Sequence, residues 1–275
     1  MYEVKCYNCN SNEATFYATE NGYNLVKCSG CGLLYVNPRP SDDEIVEGAQ
    51  QGLHKGDVTL DHTGKFDPVK LSMYSRVLKD IYPNGCTGKS WLDIGCGHGE
   101  LLASVNDVYN RAISIKGTEP NVYKQEAARK RGLDVTYFDI FTHDSKYDVI
   151  SLLNVFSHLP DPLVFLRRCK DMLASGGELI IQTGDSAHFS PEEHFRPLFL
   201  PDHLSFASEK IVRDILVRSG FEVVTVKHYP IIYPHIVSVG KEILKLVWPG
   251  KKSRIRYMMS PKYRADMFVK ARMSS

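Results

Sequence analysis

An α/β fold with a largely parallel sheet covered by helices on both faces is predicted for this 275-residue chain by three observations. From residue 90 onward, short apolar runs alternate with stretches in which apolar residues recur every three or four positions, the pattern of strands followed by helices. The first of these runs ends in a glycine-dense turn, "WLDIGCGHGE" at residues 91–100, as expected where a strand gives way to a helix beside a ligand. Two Cys-x2-Cys pairs stand ahead of this region and set a small metal-held module apart from it.

In chain order, Cys6 and Cys9 are followed after eighteen residues by Cys28 and Cys31, the spacing of a four-cysteine ribbon. Four thiolates fill a tetrahedral site, so the metal is read as structural. Zinc is the expected ion, with iron an alternative in similar geometry. Between the pairs, "EATFYA" and "YNLVKC" read as two strands around a Glu20-Asn21-Gly22 turn. Residues 1–40 form this ribbon, and residues 41–84 a helical linker and lid. Ser41 with Glu44 is a capping-box pair, residues 48–66 are rich in Gly, His and Asp without period, and Asp67-Pro68 opens a helix to about Ile81.

The core is expected over residues 85–230. Strands are predicted at 90–94, 112–118, 134–138, 147–153, 178–182 and 221–226, and helices at 100–108, 121–131, 162–173 and 208–219. Residues 231–275 hold a basic insert and a last strand. In residues 241–275, ten Lys or Arg face only Glu242 and Asp266, so an otherwise acidic chain ends in a basic stretch. That asymmetry fits a phosphate-bearing or otherwise anionic partner, and equally a solvated basic surface; the partner expected is a small-molecule acceptor. Trp248 with Ile243, Leu246 and Val247 adds an apolar stripe that could pack on the core, on a partner subunit or on a membrane surface. The run "KKSRIR" could meet a substrate diphosphate.

With 43% hydrophobic and 24% charged residues the chain reads as globular and ordered. No apolar run approaches the ~20 residues of a membrane span. "MYEVKC" lacks the features of a secretory signal, so a reducing, cytoplasmic setting is expected, with thiols rather than disulfides. Oligomeric state is not legible.

The glycines at 95, 97 and 99 depart from G-x-G-x-x-G, which argues against a dinucleotide. Asp93 would repel a pyrophosphate pressed on that turn but suits a cationic ligand. Glu119, at the end of the second strand, can accept from a ribose diol, and Asp139, after the third, from an adenine amine. Together they describe an adenosine with an ammonium-bearing chain, which S-adenosylmethionine fits.

"LDIGCGHG", "GTEPN", "FDIF", "YDVISLLNVFSHLPDP", "LASGGELIIQT" and "GFEVV" follow one another in the order seen in class I S-adenosylmethionine-dependent methyltransferases, which residues 85–227 resemble. The resemblance implies a Rossmann-like, seven-stranded, mostly parallel sheet whose last, antiparallel strand is "ADMFVKARM". It also implies cofactor contacts from Asp93, Gly95, Cys96, Gly97, Glu119, Pro120, Asp139, Ile140 and Asn154. The side chains of Cys86 and Cys96 read as small fillers. A four-cysteine ribbon, then "NPRPSDDEI", then this core resembles bacterial sugar and surface-polysaccharide methyltransferases. In those enzymes a Tyr-x-Glu-His stretch supplies acid-base residues. Here "LPDHLSFAS" keeps the histidine as His203, replaces the glutamate with Asp202 and has Leu200 at the tyrosine position.

The expected function is therefore methyl transfer to a nucleotide-linked or phosphorylated sugar or a related glycan precursor. His203 is the candidate general base, and Asp202 or another carboxylate orients it. His158 is expected to buttress the loop after the fourth strand. His188, Glu192, Glu193, His194 and Arg196 are read as lining the acceptor pocket. The rival readings are an rRNA or tRNA methyltransferase and a non-catalytic scaffold. A nucleic-acid partner is disfavoured because Lys5, Lys27 and Arg39 are balanced by Glu3, Glu13 and Glu20, leaving the ribbon neutral.

Overall fold

A computed structural model of the chain describes residues 1–86, 88–230, 243, 245 and 264–274. Leu246, Val247 and Trp248 of the predicted stripe and the run at 251–256 lie outside the described residues. Strands β1 (Ala14–Glu20), β2 (Tyr23–Cys28) and β3 (Leu34–Val36) form an antiparallel ribbon, with the turn at Asn21 and Gly22 as expected. Helix α1 (Asp42–Gln51) starts at Ser41, whose side chain and that of Glu44 form the reciprocal capping box. The short pair β4 (Leu53–His54) and β5 (Leu60–Asp61) folds the next segment back on itself. Helix α2 (Pro68–Ile81) is capped by Asp67 and turns Met73, Val77 and Ile81 inward.

The core continues through β6 (Ser90–Ile94), α3 (Glu100–Val108), β7 (Ser114–Thr118), α4 (Val122–Arg129), β8 (Val135–Thr136) and β9 (Tyr147–Leu153). Then follow α5 (Pro162–Met172), β10 (Leu173–Gly184), β11 (Ser205–Phe206), α6 (Glu209–Arg218), β12 (Phe221–Tyr229) and β13 (Asp266–Met273). Seven strands make one sheet in the order β12-β13-β10-β9-β6-β7-β8. Only β13 is antiparallel to its neighbours. The expected sheet, including its reversed last strand, is therefore present.

The two faces of this sheet bury separate cores. Leu92, Ile150, Leu179 and Ile181 pack against Leu166 of α5 and Ile215 of α6. Trp91, Val149 and Ile180 pack on the other face with Val77 of α2 and Leu102 and Val105 of α3. Burial on both sides explains why β6 and β9 read as continuous apolar runs rather than alternating ones. Each fully buried leucine contributes about 1.5–3 kcal/mol of transfer free energy.

The ribbon does not stand alone. β11 pairs antiparallel with β3, Ser205 opposite Tyr35 and Phe206 opposite Leu34, making a four-stranded sheet with one strand from the core. Leu25, Leu33 and Leu34 are fully buried in the same apolar cluster as Ile211 and Val212 of α6. Tyr7 adds a hydrogen bond between its hydroxyl and that of Ser205 at 2.9 Å. Among the described residues no helix is long and apolar enough to cross a membrane.

Candidate functional site

At the carboxyl end of β6 the chain turns through Gly95, Gly97 and Gly99, all at positive φ (69°, 56° and 86°). A side chain is excluded at two of them by contact as well as by backbone. A Cβ at Gly95 would lie 2.5 Å from Val155 Cγ2, and one at Gly99 2.4 Å from Leu133 Cδ1. Gly95 and Cys96 both donate their N–H to the Thr118 carbonyl, at 2.8 and 3.2 Å, which ties the turn to the tip of β7. Cys96 is buried against Gly117, where an added Cβ would come within 2.5 Å of its Sγ, so its side chain does act as a filler.

Three carboxylates gather at these strand tips. Glu119 accepts from the Gly97 N–H at 2.8 Å and from the Asn121 N–H at 3.0 Å. It thereby braces the turn while leaving lone pairs for a ligand. Glu100 accepts from the Asp67 N–H at 2.9 Å. Asp93 is buried and accepts from the Ser151 hydroxyl. Burial, aided by the charges of Glu119 and Glu100 and opposed by that hydrogen bond, pushes Asp93 up to about 7. Such a site lowers its own free energy by taking up a cation, and it disfavours a phosphate.

The remaining predicted contacts ring the same end of the sheet. Pro120 follows Glu119 and is half-buried. Asp139 is exposed after β8 and accepts from the Phe141 N–H at 2.9 Å, while Ile140 beside it is buried. Asn154, exposed at φ 58° after β9, bonds through its backbone N–H to the Gln182 carbonyl at 3.0 Å. Its side chain lies 3.4 Å from that of Gln182, which in turn donates to Asp266.

A second constellation surrounds Asp202. Its Oδ1 lies 3.1 Å from His54 Nε2 and 3.0 Å from His158 Nδ1, and His62 Nε2 stands 3.8 Å from Oδ2, beyond hydrogen-bonding distance. The His158 and His203 rings are 4.8 Å apart. Asp202 thus holds His158 and His54 rather than His203. The orienting group of His203 is instead the Leu198 carbonyl, 3.0 Å from Nδ1. A carbonyl only accepts, so Nδ1 carries the proton and the neutral ring keeps its lone pair on Nε2.

The electrostatics of this cluster separate the roles of its histidines. Burial alone would raise the Asp202 carboxyl, but His158, His54 and His203 hold it far below the usual carboxylate range. Burial would lower His158, yet Asp202 beside it wins and raises it. His203 is pushed down to about 4 by burial and by the charge of His158. Asp202 therefore biases His158 toward its protonated form, whereas His203 is neutral at pH 7 and keeps a free lone pair.

Of the stretch 188–196, His194 is buried among the rings of Tyr17, Phe189 and Phe206, where the ribbon meets the core. Arg196 reaches Glu20 at 3.5 Å. His194 and Arg196 thus help join the two sheets. At the far end of the ribbon the four predicted sulfurs converge. Cys6 and Cys31 Sγ are 3.5 Å apart, Cys9 and Cys28 Sγ 3.4 Å, and all four lie within 4.8 Å of one another.

Sequence reasoning missed His54 and His62 as members of the Asp202 cluster. The only signal was the His-rich, aperiodic composition of residues 48–66. The segment is pinned over the glycine turn by His98, whose Nε2 lies 2.8 Å from the Thr63 carbonyl.

A family profile described as a methyltransferase domain matches residues 71–226, more than half of the chain. The ubiquinone biosynthesis O-methyltransferase of Actinobacillus pleuropneumoniae is 31% identical over 135 residues, covering 45% of this chain and 58% of that protein. The protein of the same name from Haemophilus ducreyi is 30% identical over 135 residues, covering 45% and 57%. The chain thus spans little more than half the length of these relatives. Among solved structures, a coclaurine N-methyltransferase bound to N-methylheliamine and SAH superposes with a TM-score of 0.53 at 16% identity, over 76% of this chain and 74% of that one. A SAM-dependent methyltransferase from Thermotoga maritima gives 0.51 at 19% identity, over 75% and 92%. At those identities the likeness is one of fold.

Proposed function

The chain belongs to the methyltransferase-domain family, and from that premise we propose that it binds S-adenosylmethionine beyond the tips of β6, β7 and β8 and methylates a hydroxyl of a small molecule. The single observation that carries this reading is the meeting of two features at one end of the sheet. One is a glycine turn bordered by Asp93, Glu100 and Glu119; the other is a neutral histidine, His203, beside the His158–Asp202 pair.

The residues present fit the cofactor. Gly95 and Gly97 give backbone clearance, Glu119 keeps lone pairs for a ribose diol, and Asp139 is exposed for an adenine amine. Pro120, Ile140 and Asn154 would line the same cleft, and Cys96 would contribute its backbone. When bound, the cofactor supplies an electrophilic methyl carbon on a positively charged sulfur. The chain's part is to align the acceptor oxygen and take its proton. As the new C–O bond forms, the hydroxyl proton becomes strongly acidic, so a weak base suffices. His203 Nε2 receives it, the Leu198 carbonyl holds the ring's orientation, and Asp202 holds His158 in place beside it.

The acceptor class we propose is a nucleotide-linked or phosphorylated sugar. Its support is the resemblance to sugar methyltransferases at His203, where Asp202 replaces their glutamate and Leu200 their tyrosine. The relatives named for ubiquinone biosynthesis place a ubiquinone-pathway acceptor in the same assay. Calorimetry with S-adenosylmethionine, followed by turnover over a panel of both acceptor classes, tests the reading. Binding with turnover of a hydroxyl acceptor is expected; absence of binding would leave a scaffold role.

For the ribbon we propose one structural zinc held by Cys6, Cys9, Cys28 and Cys31. A tetrahedron of sulfurs about 2.3 Å from zinc has edges of roughly 3.8 Å, close to the observed separations, whereas a disulfide would need about 2.05 Å. Metal analysis of the purified protein is expected to give one zinc per chain. Cys28→Ser should lose that metal and lower the melting temperature by several degrees. Full metal content in that variant would count against the site.

A further inference from the structure

We propose that Glu20, on the turn of the ribbon, is the positioning residue for the acceptor loop, and that the ribbon exists in this chain to deliver it. The inference rests on the reading of His203 as proton acceptor. Glu20 lies at the end of β1, more than 170 residues from the segment it holds. Its Oε2 accepts from the Leu198 N–H at 2.8 Å, and its Oε1 from the N–H groups of Phe199 at 2.6 Å and Leu200 at 3.4 Å. Three successive backbone donors converging on one carboxylate form a small anion nest. The nest requires an unusual backbone, and Phe199 sits at φ 61°, a conformation that bulky residues rarely adopt and that persists only where its surroundings impose it.

The connection to the chemistry runs through one residue. Leu198 gives its N–H to Glu20 and its carbonyl to His203 Nδ1. The carboxylate therefore fixes the group that selects the tautomer of His203. Its neighbour Asn21 extends the grip. The Asn21 amide donates to the Leu200 carbonyl at 3.0 Å, and its oxygen accepts from the Val58 N–H at 2.7 Å. Tyr23 donates its hydroxyl to the Lys55 carbonyl at 3.0 Å. One turn thus holds both the loop that carries Asp202 and His203 and the segment that brings His54 and His62 to Asp202.

The decisive variant is Glu20→Gln, which keeps the shape of the side chain but turns an NH2 toward donors. Two readouts need no acceptor. The His203 Cε1 proton, followed by NMR against pH, is expected to shift its titration from about 4 toward 6.5 as the loop loosens, because burial, which depresses it most, and the charges of His158 and His62 then act on it less. Hydrogen exchange of amides 198–204 should rise by about tenfold or more, while β1 and β2 keep their protection and the metal content is unchanged. Glu20→Asp, retaining a carboxylate, should recover part of both. With an acceptor in hand, kcat should fall while S-adenosylhomocysteine affinity holds.

If Glu20→Gln proves too unstable, Asn21→Gly tests the same grip without backbone strain, since Asn21 already sits at φ 54°. An unchanged His203 titration together with unchanged exchange at 198–204 would overturn the proposal. Loosening of the loop in a wild-type background that methylates nothing would instead sink the reading of the activity and leave Glu20 as the anchor of the loop.

Discussion

Replacing Gly95 with alanine is expected to weaken S-adenosylhomocysteine binding by roughly a hundredfold, about 3 kcal/mol, as read by calorimetry. Two costs combine at this position. The backbone sits at φ 69°, and the new methyl would be driven to 2.5 Å from Val155 Cγ2, so the turn or the loop after β9 must move. Movement there breaks the bonds from Gly95 and Cys96 to Thr118 and shifts Gly97 off Glu119. Gly176→Ala is the control. It has the same kind of backbone, φ 72°, but open space around the added carbon, so it should lower stability by about 1–2 kcal/mol without touching the ligand. Equal binding losses in both variants would mean that the glycine turn has no special part in holding the cofactor.

His203→Ala is expected to reduce turnover by roughly a hundredfold to ten-thousandfold while leaving S-adenosylhomocysteine affinity intact, the signature of a lost proton acceptor. The wild-type pH profile should confirm the assignment. His203 is lowered to about 4, so its reactive neutral form persists down to that pH, and the acid limb of kcat should fall near pH 4 rather than 6.5. The same shift acts on stability with a definite sign. Between pH 6.5 and 4 the unfolded chain binds the proton that folded His203 refuses, so its stabilising contribution is complete above 6.5 and is lost as pH falls toward 4. A limb near 6.5, unaltered in the variant, would assign the proton to another group.

Local patterns made most of the core legible. β6 and β9 fall on the expected residues because each is a compact apolar run with turn chemistry at its end, and α3 begins where the glycines stop. Departures occur where tertiary contacts decide. β8 shrinks to Val135 and Thr136 at the sheet edge, where only one neighbour supports it. β10 starts five residues early, at Leu173, because Leu173 pairs with Tyr147 before the register slips ahead of Glu178.

The site divides along the same line. Asp93, Gly95, Gly97 and Glu119 sit next to strand ends and could be found from strand ends. His203 adjoins Asp202 in the sequence, but His54, His62 and His158 share no period with it, and only the folded chain brings them to that aspartate. Glu20 was visible as a turn residue and as a charge in a neutral ribbon. Its role depends on backbone amides, which carry no sequence signature at all.

The two-residue pairing of β11 with β3 has a mechanical corollary. Because Ser205 and Phe206 complete the ribbon's sheet while Glu20 and Asn21 grip the loop just upstream of them, the amino-terminal module and the loop that carries Asp202 and His203 are tied into one body. A substitution in the hairpin should therefore be felt at those two side chains, far along the chain, with the seven-stranded sheet beneath them unchanged.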